Sequence, residues 1–377
     1  MDIHDSTLQQ PLPQPLDASE TVQELWRVNL QPAGCPQCRQ TFLVQAARMG
    51  QVCSYCGKGR LEAQPALLRK EPAELMVGFQ KGRTDLLPIF SSFVKGVWLH
   101  NDDFNPQELV RRAIPVFWPM WLVDSDLSGD WLAEIGYDYQ VKSSQESYRE
   151  ARWQTHEIIE NRIRWEPRAG QINRHYDNVA APALSHQSEL LQNTQNYRIE
   201  TAGPYKPEWL GQADLWTPNI HPENAWPLAQ SGLDVKASED CQKAAKGQHV
   251  RSFTIHTRYD KINWTQLLLP VYVSFYTDDA GQPHLVFVNG QSGAAGGARL
   301  ASQRKGWQAA SILASAAAVS FILGILGLVT TAVLPPAGAL GILFVFLAFV
   351  LGIASIVPAA WPWQWNRGQQ EQKVTRT

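Results

Sequence analysis

The sequence predicts an α+β protein in three parts, and three observations carry that expectation. Two Cys-x-x-Cys pairs stand close together near the N-terminus. The middle of the chain is rich in aromatic and β-branched residues punctuated by Gly and Pro, as antiparallel strands are, with a more helical insertion. From Gly306 to Asn366 there is not one Asp, Glu, Lys or Arg.

The opening "MDIHDSTLQQPLPQPLDASE" has no basic stretch followed by an apolar one, so it does not read as a secretory signal. Its Pro, Gln and acidic residues cannot bury a core, and residues 1–19 are expected to form a disordered tail. The segment "CPQCRQTFLVQAARMGQVCSYCG" then brings Cys35, Cys38, Cys53 and Cys56. Each pair can place two thiolates on a tight knuckle, and two knuckles complete a tetrahedral Zn2+ site. Gly57 follows the second knuckle, where freedom to take positive φ is useful. Thr41–Val44 suits a short strand between the knuckles. Residues 30–62 therefore read as a zinc ribbon. Four Cys ligands leave no position open for a catalytic water, so the one ion is expected to be structural. Two disulfides are the weaker alternative, because the domain is expected to face a reducing cytoplasm. The fifth cysteine, Cys241, stands alone in a helical segment and reads as a packed thiol.

The ribbon carries Arg39, Arg48, Lys58 and Arg60 with no acidic offset, and Phe42 and Tyr55 could stack on bases. Nucleic-acid binding is therefore an alternative function. Four scattered charges make a thin patch, and Phe42 is equally suited to filling a small core.

Residues 63–106 read as a linker with short elements, and 107–300 as a β-rich cytoplasmic domain. "AIPVFWPMWLVDSDLSGDWLAEIGYDYQV" predicts strands with a turn at Ser128-Gly129. Trp153–Trp165 and Ile172–Val179 follow as strands joined by a turn at "PRAG". Leu184–Asn196 and Pro222–Lys246 are the helical insertion. "SFTIHTRY", "LLLPVYVSFYTDD" and "HLVFVN" close the domain as three strands, the last two joined by "AGQP". "IPVFWPMWLVDSD" and "LPVYVSFYTDD" echo each other, which suggests two related β-units. Pro115 and Pro270 are then expected at strand starts or edges, where no ladder N–H is needed.

The glycine-rich "NGQSGAAGG" after the last strand invites a phosphate-loop reading. A Walker loop needs Lys after its last Gly, and here Ala298-Arg299 follow Gly297. The spacing also misses the Gly-x-Gly-x-x-Gly of dinucleotide sites. Asn289-Gly290 predicts a tight turn instead.

The uncharged C-terminal stretch holds two apolar runs long enough to cross a bilayer as helices, over residues 307–334 and 337–360. Arg299, Arg304 and Lys305 precede the first, and Arg367, Lys373 and Arg376 follow the second. The connection "LPPAG" is uncharged. Positive flanks stay inside, so the expected topology is a hairpin in the cytoplasmic (inner) membrane with both termini, and the tail 361–377, cytoplasmic. Trp307, Trp361, Trp363 and Trp365 would then share one interface. Ala316, Ser320 and Gly324 recur every fourth residue, a small-residue stripe that allows close helix approach, either within the hairpin itself or in a homo-oligomer.

Net charge is −2, so no bulk charge draws the chain to nucleic acid or an anionic surface. "HEIIE" at His156 lacks the second His of a zincin site. Asp124, Asp126 and Asp130 read as turn residues. No nucleophile–base set stands out, and the chain is expected not to be an enzyme.

"LLLPVYVSFYTDDAGQPHLVFVNGQSGAAG" resembles the Leu-Leu-Pro-Val and Asn-Gly-Gln-Thr-Gly segment of bacterial zinc-ribbon membrane proteins. "AIPVFWPMWLVDSD" resembles their Pro-Phe-Trp strand. In that family a CxxC…CxxC ribbon precedes a β-rich domain and C-terminal membrane helices. The resemblance covers the ribbon, both strand motifs and the membrane end, and is weak through Pro182–Gly247. Ser292 stands for the usual Thr and Ala294 for the usual Lys. Members often carry helicase or transcription-factor names, and no helicase motif is present here. Some relatives are associated with phage-shock/ESCRT-III-like and flotillin-like membrane-stress machinery. The resemblance thus implies an adaptor that recruits protein partners to the membrane.

Overall fold

A computed structural model describes residues 19–64, 67, 69–149, 152–331 and 335–376. The expected tail, apart from Ser19, and Leu334 of the "LPPAG" connection lie outside them. The chain begins α1 (Ser19–Trp26), β1 (Gln31–Gly34), β2 (Thr41–Val44), β3 (Glu62–Ala63), β4 (Leu75–Met76), α2 (Leu86–Val94) and α3 (Pro106–Arg112). It continues β5 (Ile114–Arg149), β6 (Arg152–Ala181), α4 (Gln187–Thr194), β7 (Gly203–Pro204), α5 (Pro207–Leu210), β8 (Asp214–Trp216) and α6 (Pro222–Ala245). Last come β9 (His249–Thr277), β10 (Pro283–Asn289), β11 (Ala295–Gly297), α7 (Gln303–Thr330) and α8 (Pro336–Arg376). The mixed α+β class is as expected.

The described strands join one sheet, in the order β11-β10-β9-β5-β8-β2-β1-β3 with β4, β6 and β7 off that path. The two echoing segments are not separate units. They lie antiparallel against each other, Pro115 opposite Tyr272 and Phe117 opposite Pro270. Pro115 stands at the start of β5. Pro270 sits in mid-β9, where the outer edge passes from β4 at Leu268 to β10 at Val271. Neither proline breaks a ladder.

β5 is the spine. It pairs with β9 from Ile114↔Val273 to Gly136↔His249, and with β6 from Trp121↔Ala181 to Arg149↔Arg152. The turns expected at Ser128-Gly129 and at "PRAG" do not form, and both strands run straight through. Gly129 allows close strand approach: a Cβ there would lie 2.3 Å from His256 O. Gly170 makes room for the Trp131 indole, 2.6 Å from where its Cβ would be. Pro167 is tolerated because β6 pairs with β5 alone, leaving one edge free of ladder bonds. "SFTIHTRY" and "LLLPVYVSFYTDD" likewise merge into β9.

Helix α6 lies on one face of this three-stranded part. Ala225, Ala229, Leu233, Ala237, Cys241 and Ala245 are buried, a stripe at every fourth residue that lets the helix sit close to the strands. Cys241 is a packed member of that stripe. Beyond Gly136, β9 is gone, and 137–149 with 152–164 continue as a two-stranded ribbon roughly 40 Å long at ~3.3 Å per residue. Tyr148 and Trp153 face each other near its tip with ring centroids 5.4 Å apart, and Trp153 is 71% exposed.

Helices α7 and α8 form an antiparallel hairpin. Gly324, Gly327 and Gly341 meet backbone to backbone: a Cβ on Gly341 would lie 2.7 Å from Leu328 N. The buried stripe of α7 is Gly306, Ala310, Ala317, Ser320 and Gly324. It uses Ala317 rather than Ala316, because the helical drift of 3.6 residues per turn shifts the contact by one position. The stripe serves the hairpin itself. α8 runs on through the expected tail to Arg376.

The hairpin is fastened to the sheet. Asn366 brackets Ala301, accepting its N–H at 2.8 Å and donating to its carbonyl at 3.0 Å. Trp365 Nε1 donates to Arg299 O at 2.6 Å. Asp279 caps α7, accepting from Ser302 Oγ at 2.7 Å and Arg304 N–H at 3.0 Å.

Candidate metal centre

Two knuckles of matching backbone build the cysteine cluster. In the first, Arg39 N–H donates to Cys35 O (2.8 Å) and Cys35 N–H to Gln40 O (3.0 Å). In the second, Gly57 N–H donates to Cys53 O (2.9 Å) and Cys53 N–H to Gly59 O (2.8 Å). The residue after each second cysteine is left-handed, Arg39 at φ 59° and Gly57 at φ 69°. Gly57 is where glycine is useful, as expected. Arg39 pays about 1 kcal/mol for its Cβ in that region. Arg39→Gly is therefore expected to stabilise the knuckle by roughly 0.5–1 kcal/mol, read as a small rise in melting temperature.

The four sulfurs lie within 4.8 Å of one another and are positioned to hold a metal ion. The Cys35–Cys56 and Cys38–Cys53 separations are both 3.8 Å. A tetrahedral zinc with Zn–S bonds of ~2.3 Å requires sulfur–sulfur edges of about 3.8 Å, so the donor set fits. Bonds from Cys38 and Cys53 hold Cys56 below the ordinary thiol range, and bonds to Cys38 and Cys56 push Cys53 far above it. Packing four thiols so closely opposes ionising them all, and a bound cation removes that opposition. Among the described residues this is the one group of three or more His, Cys, Asp or Glu placed to share an ion.

The knuckles do not form a detached finger. β2 pairs with β8, Phe42 opposite Trp216, and through β8 joins β5. Phe42 is fully buried and is not available to stack on a base. Trp216 donates to Ser54 Oγ at 2.9 Å and packs edge-on against Tyr55 at 4.9 Å. Gln40 Nε2 donates to Thr217 O at 2.7 Å, and Asn219 Nδ2 to Gln40 Oε1 at 2.9 Å. Of the four cations on this segment, Arg48 is committed to Asp214 at 2.9 Å and Arg60 donates to Gly50 O.

Sequence reasoning missed Gly59. A Cβ there would lie 2.3 Å from Cys35 Sγ, so no side chain fits beside that sulfur. The Gly-Lys-Gly after Cys56 was the available signal. It also missed a cavity of about 600 Å³ that opens beside the cluster, among Cys38, Cys56, Trp216, His186, Leu285 and Phe287. Cys38 and Cys56 face it, and Cys35 and Cys53 are buried.

The other candidates do not assemble. Asp124, Asp126 and Asp130 are on β5, not in a turn. Asp124 accepts from Asn178 N–H (2.7 Å), Asp126 pairs with Lys261 (2.9 Å) and His175, and Asp130 accepts from Gln171 (3.0 Å). His156 lies on β6 opposite Gln145. The Asn289-Gly290 turn exists, with Gly293 N–H donating to Asn289 O at 2.8 Å. Its positive φ, 82°, is at Gly293. Gly290 is instead held by Phe79, 2.6 Å from where a Cβ would be.

No family model, curated protein or solved structure matches this chain.

Proposed function

We propose that the chain is a membrane-anchored adaptor that recruits protein partners to the cytoplasmic face of the membrane. Cys35, Cys38, Cys53 and Cys56 hold one structural Zn2+ that ties the N-terminal strands into the sheet. Helices α7 and α8, both long and apolar enough to cross a bilayer, span it as a hairpin with both termini inside. The reading assigns the chain no catalysis of its own. Partners of the phage-shock/ESCRT-III-like or flotillin-like class follow from the sequence resemblance.

The observation that carries this reading is the ribbon beyond Gly136. A lone two-stranded hairpin is at best marginal in water, yet this one exposes Tyr139, Tyr148, Trp153, Ile159 and Ile163. Large exposed apolar side chains gathered on one element mark an interaction site. The test is to replace residues 138–163 by Asn-Gly, which closes the hairpin where β9 ends. The trimmed protein is expected to melt as the parent does and to stay membrane-bound, while losing the chains that co-purify from native membranes. An unchanged set of co-purifying chains would overturn the adaptor role of the ribbon.

A further inference from the structure

We propose that the junction between the helical hairpin and the sheet binds one anionic phospholipid, its acyl chain lying between α7 and α8 and its phosphate held by Arg299 and Lys95. The inference rests on the membrane-crossing reading of the two helices.

A groove of about 480 Å³ runs along the outside of the hairpin, lined by Ala309, Ile312 and Leu313 of α7 and Ala354, Val357 and Pro358 of α8. No polar side chain contributes to it. Its remaining wall is Trp98, which belongs to the loop after α2 and not to the hairpin. Trp98 is 48% exposed and meets Trp361 edge-on at 5.5 Å. An indole placed over an apolar groove at the end of a membrane helix suits the boundary between acyl chains and headgroups.

From that indole an aromatic stack leads to a cation. Trp361 stacks on Trp365 at 5.3 Å and 22°, and the Arg299 guanidinium stands 5.9 Å from Trp365 and 5.6 Å from Phe93. Arg299 donates to the carbonyl of Lys95, which fixes its position, and its Nε has no partner. Lys95 is exposed. Among the described residues no carboxylate pairs with Arg299 or Lys95, whereas Lys305 nearby is taken by Asp102 at 2.6 Å. The groove thus selects a hydrocarbon chain, and the two cations without a carboxylate partner, reached from its Trp98 wall through Trp361 and Trp365, select negative charge. A basic site beside membrane helices at the headgroup level is how anionic lipids are recognised. A second copy fits less well, because its own hairpin, uncharged from Gly306 to Asn366, would bring no anion to the two cations.

The experiment uses the full chain, reconstituted in mixed phosphatidylcholine and phosphatidylglycerol vesicles and released into mild detergent for native mass spectrometry. Wild type is expected to retain one phosphatidylglycerol in preference to phosphatidylcholine. Arg299→Gln and Lys95→Gln should each lower that retention about fivefold, and Trp98→Ala should lower retention of either lipid. Lys95 is exposed, so its variant reports even where Arg299→Gln disturbs folding. Equal retention of the two lipids, unchanged retention in the Lys95 variant, or a lipid-free dimer would overturn the proposal. An alkaline carbonate wash of the same vesicles separates the two claims. Protein that stays in the vesicles without lipid preference refutes the lipid site alone, and protein that washes out refutes the membrane-crossing reading.

Discussion

Cys53→Ser, or removal of the metal by a chelator, is expected to unfold the whole sheet and not a detachable N-terminal finger. Cys35 and Cys53 belong to the same buried cluster as Phe42, Trp118, Trp216 and Leu269. Structural zinc contributes ~10–16 kcal/mol to the folding of small metal-dependent domains. Net stability of a whole domain is only ~5–15 kcal/mol. Loss of a bound ion is expected to release β2 from β8, and β8 is the strand that carries the sheet from β5 to the knuckles. Near-ultraviolet circular dichroism should report the loss of tryptophan packing, and elemental analysis should find one zinc per wild-type chain. A metal-free protein that keeps its aromatic dichroism would refute the structural assignment. Gly59→Ala should shift the protein in the same direction, because its Cβ would meet the Cys35 sulfur.

Arg48→Ala is expected to cost ~3–5 kcal/mol at neutral pH, the effect of leaving a buried charge unpaired, and on the order of 10 °C in melting temperature. Asp214 is 1% exposed, whereas Arg48 is 16% exposed and reaches water. Asp214→Asn should therefore cost much less than Arg48→Ala. Burial raises the Asp214 carboxyl above its ordinary value even though Arg48 pulls it down. The folded state thus holds this proton more tightly than the unfolded chain does. Its contribution favours folding below the unfolded value of about 3.9 and is lost as pH rises through the folded one. Removing Arg48 raises the folded value further. The deficit of Arg48→Ala should be small near pH 4 and grow towards pH 7. A deficit independent of pH would mean that packing, not charge, is what Arg48 contributes.

The cysteine positions were legible because a knuckle is local: four residues and their own backbone bonds set it. The two C-terminal helices were legible because an uncharged apolar run of that length is itself the signal of a helix able to cross a bilayer. The long strands were not. Gly129, Gly170 and Pro167 are turn formers by local propensity, and what keeps them in strands is His256, Trp131 and a free sheet edge, none of which is near in sequence. The separateness of the ribbon failed for the same reason. Phe42 reads as the core of a mini-domain until Trp216 is known to lie beside it.

The pairing of β2 with β8 also sets a schedule for synthesis. Gln40 meets Thr217 across 177 residues of chain, about 10–35 s at ribosomal speed. The knuckles can close and take up metal at once, but the outer edge of β2 stays unsatisfied until β8 emerges. The start of β5 is completed later still, since its partner at Ile114 is Val273, and Val273 leaves the ribosome only shortly before α7 does. Completion of the sheet and emergence of the first apolar helix therefore nearly coincide. Slowing synthesis before Val273 should lengthen the exposure of β5, whose Val116, Phe117 and Trp118 are fully buried in the finished protein, and a chain stalled at that point presents a long apolar edge to chaperones.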